Sequence, residues 1–241
     1  MLQKQNHMYT QSRKSLNWFV GCEHNCVYCK PSFQAQMKRQ LHNCKDCYAF
    51  TPHAHLDRLL KSPPKTNGEE FIFFPSSGDP AFASDEQWTK AIEYTEKYYD
   101  RTFLIQTKNP EVFQHLKFPD NVVLGITLET DRRLYYTPSL FKNYERISKA
   151  PIPFFRTFAF KDVKHKRKFV TIEPILQFSS ILLSWVFQIN PEFVYVGYAN
   201  HGCKLPEPKL ADTKKLIVEL EKFTEVRIKT LRKAWWEDFQ G

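Results

Sequence analysis

Six short apolar runs, separated by stretches with helical periodicity, constrain the fold of this chain more than any other feature. Several runs are continuously apolar, which is typical of parallel strands that are covered on both faces. Alternation of such runs with helices indicates βα units and a parallel sheet. The predicted strands are residues 16–20, 71–75, 102–106, 122–128, 169–172 and 193–197. The predicted helices are residues 85–99, with Ser84 as N-cap, and residues 111–116, 139–149, 179–188 and 210–222.

Two stretches stand outside this alternation. Residues 30–70 are too long for an ordinary βα connection, so we expect them to hold additional structure. Residues 224–241 could supply a final strand and an amphipathic helix, and Trp235 and Trp236 are expected to pack there.

Composition excludes several classes of protein. The chain has 241 residues and only seven Gly, and it contains no dinucleotide fingerprint, phosphate-binding loop or nucleophile elbow. It has no run of 18 apolar residues, so we expect no membrane span. Residues 1–14 lack the apolar core of a signal peptide, and a cytoplasmic location is therefore expected.

A cysteine cluster follows the first predicted strand. Cys22, Cys26 and Cys29 have the spacing C-x3-C-x2-C, directly after Gly21. Three thiolates within eight residues can surround a soft-metal centre and leave a fourth coordination position open. A structural zinc ion requires four ligands, whereas an iron–sulfur cluster with one free iron requires three protein ligands.

A zinc site remains the alternative interpretation. Cys26 and Cys29 precede Cys44 and Cys47 at a separation close to that of a zinc ribbon. This would make the chain a zinc-stabilised nucleic-acid-binding protein without catalysis. It leaves Cys22 unused and does not account for the six βα units.

The C-x3-C-x2-C spacing after a first strand, with Tyr28 just before the last cysteine, resembles the radical S-adenosylmethionine (SAM) superfamily. More narrowly, the chain is similar to a branch found in archaea and phages, which is distantly like spore photoproduct lyase. The resembling segments are residues 71–82, 103–110, 169–176 and 193–208.

The resemblance implies a fold and a division of the chain. The fold would be α/β, a partial (β/α)6, TIM-like barrel over residues 1–222. Residues 30–70 would be an insertion after strand 1 that carries Cys44 and Cys47. Residues 223–241 would form a short C-terminal extension.

The resemblance also implies a reaction. Cys22, Cys26 and Cys29 would hold three irons of a [4Fe–4S] cluster, and the fourth iron would bind the amino and carboxylate groups of SAM. One electron from an external donor would then cleave SAM to methionine and a 5′-deoxyadenosyl radical, which abstracts hydrogen from a substrate.

Polar residues follow the predicted strands, at the end where parallel barrels carry their chemistry. Gly78 and Asp79 stand where the superfamily has a Gly-Gly-Glu-type motif that meets the methionine amino group. A carboxylate such as Glu173 in an apolar strand is expensive unless it is paired or functional. The predicted cofactor-binding residues are Tyr28, Ser77, Gly78, Asp79, Thr127, Glu129, Glu173, Gly197 and Tyr198. The candidate catalytic residues are Lys108, His201 and Cys203.

Cys44 and Cys47, followed by His53 and His55, form a candidate second metal site. The sequence leaves three roles open for this group: binding a zinc ion, binding an auxiliary iron–sulfur cluster, or supplying a thiol that donates hydrogen to a product radical. Spore photoproduct lyase uses such a thiol. Cys203 could join this site by folding.

Most of the net charge of +9 lies in residues 131–168, which contain eleven Lys/Arg, three Asp/Glu and eight aromatic residues. Cations neutralise phosphates and aromatic rings stack on bases, so this segment is a candidate nucleic-acid contact, and DNA or RNA modification or repair is a candidate activity. Residues 164–168 lead into the amino end of the fifth predicted strand, away from the expected active face.

Overall fold

The apolar runs form strands in a computed structural model, which describes residues 9–132 and 144–237. The strands are β1 (Ser12–Ser15), β2 (Phe19–Val20), β3 (His53–Ala54), β4 (Phe71–Phe73), β5 (Phe103–Thr107), β6 (Val122–Thr127), β7 (Lys168–Ile172), β8 (Phe193–Val196) and β9 (Glu225–Ile228). Within the described residues, seven of them form one parallel, curled half-barrel sheet in the order β1-β4-β5-β6-β7-β8-β9. Strands β2 and β3 pair antiparallel in a separate two-stranded sheet. The predicted α/β class with a parallel sheet is confirmed.

Alternate side chains of the strands enter two different apolar clusters, because successive residues of a strand face opposite sides of the sheet. One face of the sheet contributes the side chains of Ile72, Ile105 and Leu124 to the main core. The other contributes Phe73, Leu104 and Val123 to a smaller, largely aromatic cluster. Strands covered on both faces explain the unbroken apolar runs.

Six α-helices lie among the described residues: α1 (Ala35–Met37), α2 (Lys45–Ala49), α3 (Asp85–Lys97), α4 (Pro153–Asp162), α5 (Ser180–Ile189) and α6 (Leu210–Leu220). Helix α3 begins as predicted at Ser84, whose hydroxyl accepts from the Gln87 backbone while the Gln87 side chain returns the bond. This capping box satisfies two N–H groups that would otherwise lack partners. Helices α5 and α6 lie within two residues of their predicted bounds.

Several predicted elements differ from the structure. The first sheet strand is β1, not residues 16–20, of which only β2 is extended. Residues 111–116 give a short 3-10 helix, Pro110–Phe113. The predicted helix 139–149 lies partly outside the described residues, and Tyr144–Arg146 is a 3-10 turn. Helix α4 was not predicted.

The two stretches outside the predicted strand–helix alternation both hold secondary structure. Residues 30–70 contain a π-helix, α1, α2, β3 and 3-10 segments. In the assigned C-terminal extension, β9 pairs with β8 and joins the main sheet. Trp235 and Trp236 pack there, and their indole N–H groups donate to the carbonyls of Leu205 and Glu207. Among the described residues, no helix combines the length and apolarity needed to cross a membrane.

Candidate functional site

A cavity of about 850 Å³ lies at the carboxyl ends of the parallel strands. Its volume falls in the range of about 300–1,000 Å³ that is usual for small-molecule sites. Residues at or just after the ends of β4, β5, β6, β7 and β9 line it. The sequence-predicted residues that the structure brings together here are Cys22, Cys26, Tyr28, Cys29, Ser77, Gly78, Asp79, Lys108, Thr127, Glu173, His201 and Cys203.

The cysteine loop is anchored on the end of β4 through two glycines. Gly21 has a φ of +93°, and a Cβ there would lie 2.2 Å from the Thr51 carbonyl oxygen. Gly21 forms a parallel bridge with Gly78, donating to the Ser77 carbonyl at 3.1 Å and accepting from the Asp79 amide at 3.1 Å. Only residues without a side chain allow these backbones to approach so closely, and this approach brings Cys22 to the cavity.

The three thiols differ electrostatically although they share one wall of the cavity. Burial raises the pKa of Cys22 well above its usual value. A hydrogen bond with Cys29 lowers the pKa of Cys26 to about 5, against the effect of burial and with help from the Lys108 charge. The same hydrogen bond raises the pKa of Cys29. Cys26 is therefore the thiol that most readily becomes a thiolate, the form that binds metals.

Glu129, predicted to contact the cofactor, is fully buried and does not line the cavity. One of its oxygens accepts from Lys108 Nζ at 2.7 Å, Tyr28 at 2.5 Å and Tyr144 at 3.0 Å, and the other accepts from Arg156 at 2.8 Å. Burial would raise the pKa of Glu129, but Arg156 and Lys108 hold it well below its usual range. Four side chains thus donate to this carboxylate, and two of them, Lys108 and Tyr28, line the cavity.

Asp79 is likewise fully engaged. Its carboxylate accepts from the Thr107 hydroxyl at 2.6 Å and from the amides of Ala81 and Lys108 at 3.0 and 2.8 Å, and it lies 3.0 Å from His24 Nε2. Burial would raise the pKa of Asp79, but the hydrogen bond and charge of His24, with the Thr107 bond, lower it. Asp79 also lines the cavity, and its contact with an amino group stays a prediction.

Glu173 and Thr127 are polar groups that do face the cavity. Glu173 is paired with Lys229 Nζ at 2.5 Å, and Thr127 accepts from Gln106 at 2.7 Å. Burial raises the pKa of Glu173, although Lys229 opposes this shift. The wall therefore presents a carboxylate beside an ammonium group.

Gly197 and Tyr198, predicted to contact the cofactor, lie elsewhere. A Cβ at Gly197 would be 3.1 Å from the backbone nitrogen of Thr230, so the chain after β9 packs directly against this glycine. Tyr198 is completely buried and its hydroxyl lies 2.7 Å from that of Thr213 on α6. The unpredicted joining of β9 to β8 explains the difference at Gly197.

Cys44, Cys47, His53 and His55 come together as a second group outside this cavity, and their ligand atoms all lie within 4.8 Å of one another. The group could hold a metal ion. Cys26 and Cys29 line the cavity instead, so the structure does not assemble the alternative four-cysteine site. Cys203 lines the cavity as well and does not join the second group.

The basic segment is only partly a charged surface. The structure describes residues 131–132 and 144–168 of it, and Tyr135, Tyr136 and Phe141 lie outside the described residues. Arg156 and Lys168 are buried. Residues 164–168 precede or begin β7, so they lie at the opposite end of the strand from the cavity.

Three residues near the cavity were not predicted from the sequence. Ser148 Oγ lies 3.1 Å from Cys26 Sγ, across 122 residues of sequence, and Lys229 pairs with Glu173 across 56. No local pattern signals partners so distant. His24 stands between two of the cysteines, and its position in the motif was a usable signal.

A scan against protein-family models and a search of curated proteins found no match to this chain.

Proposed function

We propose that this protein is a radical SAM enzyme, in which Cys22, Cys26 and Cys29 hold a [4Fe–4S] cluster beside a cavity that binds SAM. One observation carries the proposal: the three cysteines of a C-x3-C-x2-C motif line a single 850 Å³ cavity at the carboxyl ends of a parallel, curled sheet. In parallel barrels this is the end that carries the chemistry. The proposal includes the finer description of the fold as a partial, TIM-like barrel.

The donor set fits a cluster with one open iron. Thiolates select iron–sulfur clusters or zinc, and a structural zinc ion needs a fourth protein ligand. The ligand atoms of His24 and Asp79 lie within 4.8 Å of Cys22 Sγ, but the two side chains are paired with each other at 3.0 Å. Asp79 is also held by Thr107. The three cysteines are therefore left one ligand short, as a SAM-binding cluster requires.

When bound, the cluster and SAM supply one-electron reduction and hydrogen abstraction, with the electron coming from a donor outside this chain. The protein's own residues supply binding and orientation. Lys108 keeps its positive charge at the cavity because Glu129 raises its pKa against the effect of burial. Glu173 and Lys229 present opposite charges, which suit the amino and carboxylate groups of a zwitterionic ligand.

Apolar side chains restrict water around these charges. Phe33, Phe50, Phe73 and Ile228 contribute to the same lining. Exclusion of water strengthens electrostatic contacts and protects reactive species from side reactions. The lining of the cavity therefore combines cysteine thiols, charged side chains and apolar side chains.

Anaerobic reconstitution of the full chain with iron and sulfide tests this proposal. We expect about four iron atoms per chain, with the broad visible absorption of a cluster, and loss of both in a Cys22→Ala/Cys26→Ala/Cys29→Ala variant. Cys203→Ala is the matched control, since it removes another thiol from the same cavity and should retain the iron. Failure of the wild type to bind iron, or full iron content in the triple variant, would overturn the proposal.

A further inference from the structure

We propose that Cys44, Cys47, His53 and His55 bind one zinc ion in a closed tetrahedral site, and that this ion fixes the loop that carries Cys22. The zinc site itself does not depend on the proposed radical SAM function. Its role in holding the Cys22 loop adds a structural support to that function.

The four donor atoms converge on one point. His53 Nε2 lies 3.4 Å from Sγ of both Cys44 and Cys47, and His55 Nε2 lies 3.1 Å from Cys47 Sγ and 2.8 Å from His53 Nε2. Zinc bonds of about 2.3 Å to sulfur and about 2.0–2.1 Å to nitrogen place tetrahedral ligands about 3.3–3.8 Å apart. The observed separations are within about half an ångström of these values.

The donor chemistry favours zinc over the other centres that the sequence left open. Two thiolates and two imidazoles are a common ligand set of structural zinc. In a two-iron cluster with the same ligands, the cysteines bind one iron and the histidines the other. Here His53 is equally close to both sulfurs, so the two pairs share one centre. The four ligands also close the site, which leaves no position for substrate.

Backbone contacts prepare the ligands for a metal. His53 Nδ1 lies 2.7 Å from the Thr51 carbonyl oxygen, and an Nδ1–H bond to this carbonyl leaves Nε2 free as a metal ligand. Cys44 Sγ accepts the backbone N–H of Cys47 at 3.4 Å at the start of α2. Contacts of this kind orient metal ligands and tune their affinity.

The backbone next to this zinc site is hydrogen-bonded to the backbone around Cys22. Residues 48–52 connect Cys47 to His53, and within them the Phe50 carbonyl accepts the Cys22 amide at 3.3 Å. His53 pairs with Val20 in the β2–β3 ladder. An ion shared by Cys47 and His53 therefore fixes residues 50–52, which in turn hold the backbone around Gly21 and Cys22.

Metal analysis of the full-length protein tests the site. We expect about one zinc per chain in the wild type and in the Cys22→Ala/Cys26→Ala/Cys29→Ala variant, and at least a tenfold loss in a Cys44→Ser/His53→Ala variant. The triple variant should lose its iron while it keeps its zinc, so failure of the zinc site and failure of the cluster are distinguishable. Zinc retained in the double variant, or zinc lost from the triple variant, would overturn the proposal.

Two measurements on the wild type keep the test valid if the double variant does not fold. Replacement of zinc by cobalt should give the absorption of tetrahedral Co²⁺ with thiolate charge transfer, and absence of this spectrum contradicts the site. Removal of zinc by a chelator should speed hydrogen exchange at the Cys22 amide at least tenfold while β6 is unchanged. Unchanged exchange at Cys22 would contradict the role assigned to the ion.

Discussion

Replacing Glu129 by Gln tests whether a buried charge cluster supports the cavity. Glu129 pairs with Arg156 at 2.8 Å and Lys108 at 2.7 Å, and the side chains of Glu129 and Arg156 are 0% exposed. Removing one partner of a buried pair costs about 3–5 kcal/mol, because the remaining charge is left uncompensated. For a chain of this size each kcal/mol shifts Tm by about 2–4 °C. Glu129→Gln should therefore melt about 6–20 °C below the wild type at pH 7, as followed by circular dichroism.

Glu86→Gln is the matched control for this experiment. Glu86 pairs with Lys90 at 2.6 Å on the exposed surface of α3, and solvent-exposed ion pairs contribute little to stability, so the Tm of this variant should stay within about 3 °C of the wild type. The pKa of the buried Glu129 is lowered on folding. Its stabilisation is present above the unfolded pKa of about 4.3 and is lost as pH falls through the folded pKa. The gap between wild type and Glu129→Gln should narrow below about pH 4. Equal melting of Glu129→Gln and wild type, or equal losses in both variants, would refute the reasoning.

Three further predictions test local features through urea denaturation, two of them with a control variant. Gly21→Ala should lower the free energy of unfolding by more than about 2 kcal/mol, because its Cβ would lie 2.2 Å from a backbone oxygen. The control Gly68→Ala has open space around its Cβ and should lower it by only about 1 kcal/mol. Equal losses in the two variants would contradict this expectation. Trp88→Ala should lower the free energy of unfolding by about 3–5 kcal/mol, because it removes a large side chain from the core. Its control Tyr99→Ala changes a side chain that is 80% exposed and should alter stability by less than about 0.5 kcal/mol. A small loss in Trp88→Ala would count against the packing described. Ser84→Ala should lose about 1 kcal/mol with the capping box, and an unchanged midpoint would show that the cap is dispensable.

The central strands could be predicted from the sequence, whereas the edge strand β1 was not predicted and β9 was expected only as a final strand within residues 224–241. Strands β5, β6, β7 and β8 are buried along nearly their whole length, so each is an apolar run. The edge strands β1 and β9 have the sequences SRKS and EVRI and are partly exposed, which removes that signal. Helix α4 has Pro at its first position, a common helix start that could have been recognised.

The candidate site also has a part that could be predicted from the sequence and a part that could not. The cysteine motif and the Cys44–His55 group are local in sequence, so their spacing was enough to find them. Glu129 illustrates the limit, because its partner Arg156 is 27 residues away. A carboxylate at a strand end indicates a charge near the cavity, but only the packing of α4 shows that a buried cation occupies it.

Release of 5′-deoxyadenosine from SAM is the measurement that tests the central proposal most directly. Cluster-loaded, chemically reduced protein would be incubated with SAM without oxygen, and the nucleoside would be quantified by chromatography. We expect 5′-deoxyadenosine from the wild type and none above background from Cys26→Ala, which loses a cluster ligand. No 5′-deoxyadenosine from the loaded wild type, or equal amounts from Cys26→Ala, would contradict the account.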